Sequence, residues 1–443
     1  MYAADIFNTR ASSGSQWESS APALSTGSLA RAPANDPYDV VIVGGGFTGL
    51  SAAYHLASEH QQSVCVLDAG QIGNGASGRN GGFCNVSPIM TYQKLLKKLG
   101  TSGAQGFVAA QNSGVDFVRD LIDELSLDVE AQMGGTAEVA HSPSAFADLQ
   151  EKSELLASVF AMETEVLGQR AFAERLHDAY GQFGGLVTPN SFCLNPLRLA
   201  RGIAENAAKA GADLVEDCKV ERISKVGSLQ ELETSHGLVR GKKVILATNG
   251  YASDRLHAIT DRRLMPVISQ INVTRPLRER EITAQGWGER IGCSTTHGAH
   301  YYYRLLPDNR LMFGGPGDYA GTADAAQRSA AALARVMVER FPALVDVSIE
   351  RHWNGIVCTT QKFLPSVGTF DDDPDLHYGF GFHGNGVAAA TWTGRQMASV
   401  LAGRSTYEAA FPEAYLGLPK RFPLAFLRPL YLRAAMAFRI MQD

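Results

Sequence analysis

Near residue 40 the chain carries a short, nearly all-apolar run, Asp39-Val-Val-Ile-Val43. That is the pattern of a strand covered on both faces of a parallel sheet. Leu50-Ser-Ala-Ala-Tyr-His-Leu56 follows with helical character and small residues suited to close packing on a strand, and Ser63-Val-Cys-Val-Leu67 reads as a second strand. Further on, 104–125, 143–161, 194–210 and 323–341 read as helices, and an apolar helix runs from Val387 to Leu401. Strands are expected around Val220 and at Lys243-Val-Ile-Leu246. Aromatic and polar alternation predicts antiparallel strands at 265–275 and 299–314. The last segment, Leu418 to Asp443, is basic and apolar; it fits a membrane-surface helix or a tail helix packed on its own protein.

Glycine changes this picture most. It makes up 45 of 443 residues, about 10% against a usual ~7%. Three clusters, 44–49, 70–82 and 379–386, hold four, six and four of them. The formal charge of −5 leaves no electrostatic footprint for nucleic acid. Six scattered cysteines (Cys65, Cys84, Cys193, Cys218, Cys293, Cys358) show no metal-type spacing and read as reduced, cytoplasmic thiols. No metal is expected. The first 36 residues lack the apolar core of a secretory signal. Arg10 and Arg31 among serines suit a transit peptide, but Asp5 and Glu18 interrupt it, and a mature N-terminal arm is the expectation.

The first glycine cluster is G-x-G-x-x-G between strand and helix, with an acid about 20 residues on. Gly44 permits the tight turn, Gly46 lets backbone approach a pyrophosphate, and Gly49 lets the helix lie close to the strand. Phe47 and Thr48 open that helix, whose N-terminus offers free N–H groups and a positive dipole end to phosphate. Asp68 is placed to accept hydrogen bonds from a ribose. The fingerprint alone leaves NAD and FAD open. The second cluster, Ala69-Gly-Gln-Ile-Gly-Asn-Gly-Ala-Ser-Gly-Arg-Asn-Gly-Gly82, favours FAD, because a loop so rich in glycine suits a flat ring passing close to backbone.

At these residues the chain resembles the D-amino-acid oxidase superfamily of FAD enzymes, and within it the γ-glutamylputrescine oxidoreductase branch of amine-oxidising flavoproteins. The resemblance implies an α/β fold (α+β overall): a Rossmann-type FAD-binding domain and a substrate domain with a mixed or antiparallel sheet. The FAD domain is expected from 36–90, 192–255 and 355–405. The substrate domain would take 91–191 and 256–354, with an arm at 1–35 and a tail helix at 406–443. By resemblance Gly75, Ser77, Gly78, Arg79, Asn80, Gly81 and Gly82 join the FAD site with Ala69. Val220 lies near the adenine, and Ala247, Thr248, Asn249 and Gly250 near the phosphates. The third cluster, with Gly381, His383, Gly384, Asn385, Gly386 and Val387, looks like the family's last flavin-binding turn, its helix N-terminus aimed at the N1/C2=O edge of the ring. Trp17 resembles an aromatic this branch carries before the first strand, which implies that the arm folds back.

The implied chemistry passes a hydride equivalent from the carbon beside a substrate amine to the flavin, followed by hydrolysis of the imine. A small amine such as a polyamine conjugate is the expected substrate. A D-amino acid, glycine or N-methyl amino acid is the first alternative, and a flavin-binding protein without turnover the second. A carboxylate-bearing substrate wants a bidentate arginine, for which Arg304, Arg263 and Arg79 are available. Arg79 either touches the ring or shapes its loop. His383 either faces the ring or serves as a hydrogen-bonded structural residue. Tyr302 and Arg304 are candidates for the substrate side, and Trp353 for pocket or core. Gly355-Ile-Val-Cys358 resembles the segment whose cysteine bonds covalently to flavin in sarcosine oxidases. Those enzymes carry a lysine where this chain has Val387-Ala-Ala-Ala390, and a small buried thiol is the favoured reading of Cys358.

Overall fold

In a computed structural model of the chain, Tyr38–Val43 is an inner strand of an eight-stranded sheet. The structure describes residues 2–25, 27–30, 32–403, 407 and 411–440, and for 435–440 the backbone alone. Arg31 and parts of the tail lie outside the described residues. Tyr38–Val43 pairs in parallel with Val64–Leu67 on one side and with Gly237–Leu246 on the other, which pairs in parallel with Asp373–Phe380. Both faces of this sheet are covered, and that is why its strands read as unbroken apolar runs. Val40, Ile42, Val64 and Val66 pack beneath the helices Phe47–Ser58, Pro196–Lys209 and Gly386–Leu401. Val41, Val43, Cys65 and Leu67 pack on the other side with Val220, Ile223 and Leu232 of a hairpin.

The second eight-stranded sheet runs in the order Ile349–Thr359, Met265–Pro276, Arg310–Pro316, Tyr302–Leu305, Gly292–Thr295, Thr136–Val139, Gly184–Thr188 and Glu165–Gly168. All neighbours are antiparallel except the pair Gly292–Thr295 and Thr136–Val139. One row in register across it reads Trp353, Ile271, Gly314, Tyr302, Ser294, Glu138, Leu186. Side chains in one row share a face. The opposite face buries Ala137, Val139, Cys293, Tyr303 and Phe313 against Leu333, Met337 and Phe341, from and just beyond the helix Ala323–Arg340.

Three boundaries differ from the sequence reading. The helix expected at 104–125 is the greater part of Tyr92–Glu124, which Thr91 caps and which breaks at Gly100 (φ 70°). The run 299–314 is two strands, because Asn309 turns left-handed (φ 64°) between them. Ile349–Thr359 crosses the expected domain boundary at 355 and lies whole in the second sheet, because it pairs along its length with Met265–Pro276. Among the described residues no helix is long and apolar enough to cross a membrane.

The arm folds back. Trp17 is 1% exposed; its Nε1–H donates to the Asn80 carbonyl at 2.8 Å, and its ring meets Trp353 edge-on at 6.0 Å. At the other end, Arg428 of the tail helix pairs with Asp254 and donates to the Leu264 carbonyl at 2.5 Å, and Leu432 is buried. Leu424, Phe426 and Leu430 stay exposed. Truncating Trp17 to alanine removes a buried indole and strands the Asn80 carbonyl. The expected loss in a denaturant titration is about 3–5 kcal/mol.

Candidate active site

One cavity of about 2320 Å³ runs between the two sheets, well above the ~300–1,000 Å³ typical of a drug-sized ligand. Its floor is built from strand ends. Val43, Leu246 and Tyr378 are in register on adjacent strands, so the turns that follow those strands lie side by side. Gly44 turns with φ 111°, and a Cβ there would stand 2.8 Å from the Ala247 carbonyl oxygen. Gly49 backs onto the Gly44 carbonyl so closely that a methyl group would overlap it. Asn249 Oδ1 accepts from the Gly381 N–H at 2.9 Å, tying the second of these turns to the third.

Asp68 joins the first two glycine clusters. Its Oδ2 accepts from the Gly45 N–H and its Oδ1 from the Gly70 N–H, both at 2.8 Å. Burial pushes this carboxyl up, and the two N–H groups oppose it. Each oxygen keeps a lone pair for a further donor. Helix Phe47–Ser58 has glycine at its N-cap and no capping side chain of its own. Ser77 Oγ, from the neighbouring loop, accepts its Phe47 N–H at 2.9 Å.

The expected cofactor residues Gly44, Gly46, Phe47, Thr48, Asp68, Ala69, Gly75, Ser77, Arg79, Asn80 and Gly81 line the cavity. So do Val220, Ala247, Thr248, Asn249, His383, Gly384, Asn385, Gly386 and Val387. Gly49, Gly78, Gly82, Gly250 and Gly381 do not; each lies behind the wall, pressed on neighbouring backbone or side chains.

The expected catalytic residues separate. Tyr302 lines the cavity, its hydroxyl 3.0 Å from Ser269 Oγ, and burial pushes its phenol up to about 12. Arg304 does not line it, which corrects the expectation. It lies on the same strand face one pair further on, 1% exposed, beneath the 81–82 turn. There it donates to Gly81 O, Gln132 Oε1 and Leu194 O at 3.2, 2.6 and 2.6 Å, and its guanidinium lies 5.2 Å from the Trp17 ring. Arg263 is likewise taken up by the Pro419 carbonyl. Arg79 shapes its loop: Nε donates to Asn74 O at 2.7 Å and Nη2 to Asn8 O at 3.2 Å. Trp353 is core, its Nε1–H on the Arg79 carbonyl at 2.9 Å.

His383 holds a left-handed φ of 55°. Its Nε2–H donates to the Leu364 carbonyl at 3.2 Å, which leaves Nδ1 as a lone-pair acceptor. Burial brings its pKa down to about 4, against a smaller opposing pull from that carbonyl, so the ring is neutral at pH 7. Asn385, 5% exposed, donates to Gln111, which donates to Tyr415. Among the described residues, His383 Nδ1 and Asn385 Oδ1 are buried without a hydrogen-bond partner. Both flank the uncapped N-terminus of Gly386–Leu401. Cys358 is 1% exposed, and burial pushes its thiol up to about 12.

Sequence reasoning missed two parts of the wall. Phe7, Asn8, Thr9 and Arg10 of the arm line the cavity beside Asp68 and Ala69. Arg10 donates to Ala69 O at 3.0 Å, and Asn74 Nδ2 to Thr9 O at 2.9 Å. Glu138 and Lys152 form an ion pair on the opposite side. Neither feature carries a local motif.

The chain matches the family model described as FAD dependent oxidoreductase, DAO, over residues 39–400. It is 31% identical to "Probable oxidoreductase OrdL" of Rhizobium meliloti (strain 1021), over 84% of this chain and 85% of that one. It is also 31% identical to γ-glutamylputrescine oxidoreductase of Escherichia coli (strain K12), over 86% of each. Among solved structures, glycine oxidase from Geobacillus kaustophilus shares the fold, with a TM-score of 0.72 at 21% identity over 87% of this chain and 100% of that one. Fingerprint, cavity and relatives agree that the chain belongs to the DAO family of FAD-dependent oxidoreductases.

Proposed function

We propose that this flavoenzyme oxidises the C–N bond of an amine that carries no carboxylate on its reacting carbon. The observation behind this reading is where the arginines go. Those lining the cavity, among the described residues, are Arg10, Arg79 and Arg255. Arg10 and Arg79 are spent on backbone carbonyls. Arg255 is exposed and adjoins Leu256, which packs with Val220 at the far end. Arg304 and Arg263 are withdrawn behind the wall. Among the described residues, no guanidinium is left near Tyr302 and the 383–387 turn for the bidentate clamp that an amino-acid carboxylate wants.

The residues present fit FAD. The N-terminus of Phe47–Ser58 would take the pyrophosphate, Asp68 the ribose hydroxyls, and Val220 the adenine, with Phe7–Arg10 covering that end. The 383–387 turn, which lines the cavity, would take the ring. A free helix N-terminus there stabilises negative charge. Bound there, FAD would supply the acceptor for a hydride from the carbon beside the substrate nitrogen, leaving an imine that water would hydrolyse to a carbonyl compound and an amine. The protein's share is to hold the substrate amine neutral and oriented. Apolar burial beside Tyr302 disfavours the ammonium form. A neutral His383 is too weak a base to deprotonate an alkylammonium near 10.4. A flavin there would be held without a covalent bond: Cys358 lines the cavity, but its surroundings keep it a thiol, and the thiolate is the reactive form. Its six cysteines are all unpaired and buried, which fits the reducing cytoplasm.

Mixed anaerobically with the purified protein, an N-acylated diamine is expected to bleach the flavin band roughly 10-fold or more faster than glycine or a D-amino acid, the margin one charge-assisted contact carries. The reverse order moves the assignment to amino acids, and no bleaching by any of them makes the chain a flavin-binding protein without turnover. Acid precipitation is expected to leave the yellow colour in the supernatant; colour in the pellet that Cys358→Ser abolishes overturns the non-covalent reading. The pH profile of kcat/KM should rise with deprotonation of the substrate amine alone. A further limb near pH 4 that vanishes in His383→Asn would show His383 acting as a base.

A further inference from the structure

Eleven large apolar side chains stay exposed among the described residues, and six of them, Phe363, Leu416, Leu424, Phe426, Leu430 and Tyr431, come from two segments that touch. Lys362 Nζ donates to the Leu416 carbonyl at 2.6 Å, and Gln361 Nε2 to the Arg421 carbonyl at 3.3 Å. Further along, the Phe422 N–H donates to the Arg262 carbonyl at 2.7 Å, and the Tyr431 hydroxyl to the Pro423 carbonyl at 3.2 Å. The tail is therefore seated on the body, with Arg428 paired to Asp254 and Leu432 buried. Seated as it is, it still leaves Leu424, Phe426 and Leu430 60%, 72% and 59% exposed. A helix that packs only on its own protein turns such residues inward. Charge is just as uneven. From Ala414 to Gln442 the chain carries five cations, Lys420, Arg421, Arg428, Arg433 and Arg439, and no acid, in a protein of net charge −5. Arg421 and Arg428 pair with Asp261 and Asp254, so the two nearby carboxylates are neutralised, while Lys420 and Arg433 point their charges at solvent.

We propose that this face docks on the surface of an anionic lipid membrane. A contiguous exposed apolar patch rimmed by charge marks an interaction surface, and two properties choose what covers it. The first is sign. Cations flank the apolar residues, so the cover is negative. A second copy of this chain, meeting the same face across a two-fold axis, would set like charges against one another. The second property is shape. Leucine and phenylalanine side chains this exposed project from the surface, and a layer of acyl chains admits a projecting side chain without a pocket made for it. Leu424, Phe426 and Leu430 then enter the boundary between headgroups and acyl chains, Tyr431 sits at headgroup level, and Lys420 and Arg433 meet lipid phosphates. The contact is shallow, in keeping with the absence, among the described residues, of any helix able to cross a membrane. Phe363 also lines the cavity, so docking brings the rim of the cavity to the lipid surface. The inference does not depend on which amine is oxidised.

Flotation of the purified full-length protein with lipid vesicles tests it. The protein is expected to float with vesicles of equal parts phosphatidylglycerol and phosphatidylcholine and to stay behind with phosphatidylcholine alone, although its own net charge is negative. Raising NaCl from about 50 mM to about 500 mM should weaken the partitioning by about 10-fold or more. The double variant Leu424→Ser with Phe426→Ser, and separately Lys420→Ser with Arg433→Ser, should each weaken it by about 10-fold. All four side chains are exposed, so flavin absorbance and melting temperature should hold in both variants, and the wild-type comparison of the two lipids needs no variant at all. Failure to float with the anionic vesicles overturns the proposal, as does flotation that salt and both variants leave unchanged. A dimer in sedimentation velocity that the Leu424→Ser, Phe426→Ser variant dissolves and that anionic vesicles leave intact also overturns it, and gives the face to a second copy of the chain.

Discussion

Three parallel strands that end side by side are the constraint on which the site depends. Because Val43, Leu246 and Tyr378 are in register, the turns at 44–49, 247–251 and 381–386 open onto one edge of one sheet. That is the carboxyl edge at which open α/β sheets bind their ligands. The register tolerates little slack. Gly49 rests on the Gly44 carbonyl and Gly44 faces the Ala247 carbonyl, so a side chain at either position separates the helix or the neighbouring turn from the strand. The same closeness brings two helix N-termini, at Phe47 and Gly386, to a single cavity, where their dipoles favour an electron-rich ligand at both ends.

The two sheets contribute differently. The parallel sheet presents backbone, because its working positions are turns. The antiparallel sheet presents side chains, because alternation sends Val267, Ser269 and Ile271, Ser294, and Thr136 and Glu138 toward the cavity. The first surface suits a cofactor recognised through phosphates and ring edges. The second suits a variable substrate, and substitutions in it leave the cofactor cradle intact. Buried polar atoms follow the same division. Arg79, Asn80 and Arg304 are consumed in holding loops together. His383 Nδ1 and Asn385 Oδ1 are left without partners at the 383–387 turn.

By itself the sequence determined the strand–turn–helix units, the three glycine loops and their order, the acid at Asp68, and a parallel sheet covered on both faces. Each is a local matter of residue period, backbone freedom or cap chemistry, which a short window of chain carries in full. Tertiary structure decided how side chains of one residue type were divided among roles. Tyr302 and Arg304 share one strand face, yet one reaches the cavity and the other is shut beneath the 81–82 turn, where the Gly81 and Leu194 carbonyls take its guanidinium. Arg79 is taken up by Asn74 and Asn8, the second of which belongs to an arm that no local pattern ties to the loop. Glu138 and Lys152 meet only because a parallel strand pair and a helix deliver them to one wall. The sequence states which groups are available. Which of them stay available depends on partners far away in the chain, and only the packed structure brings those partners within reach.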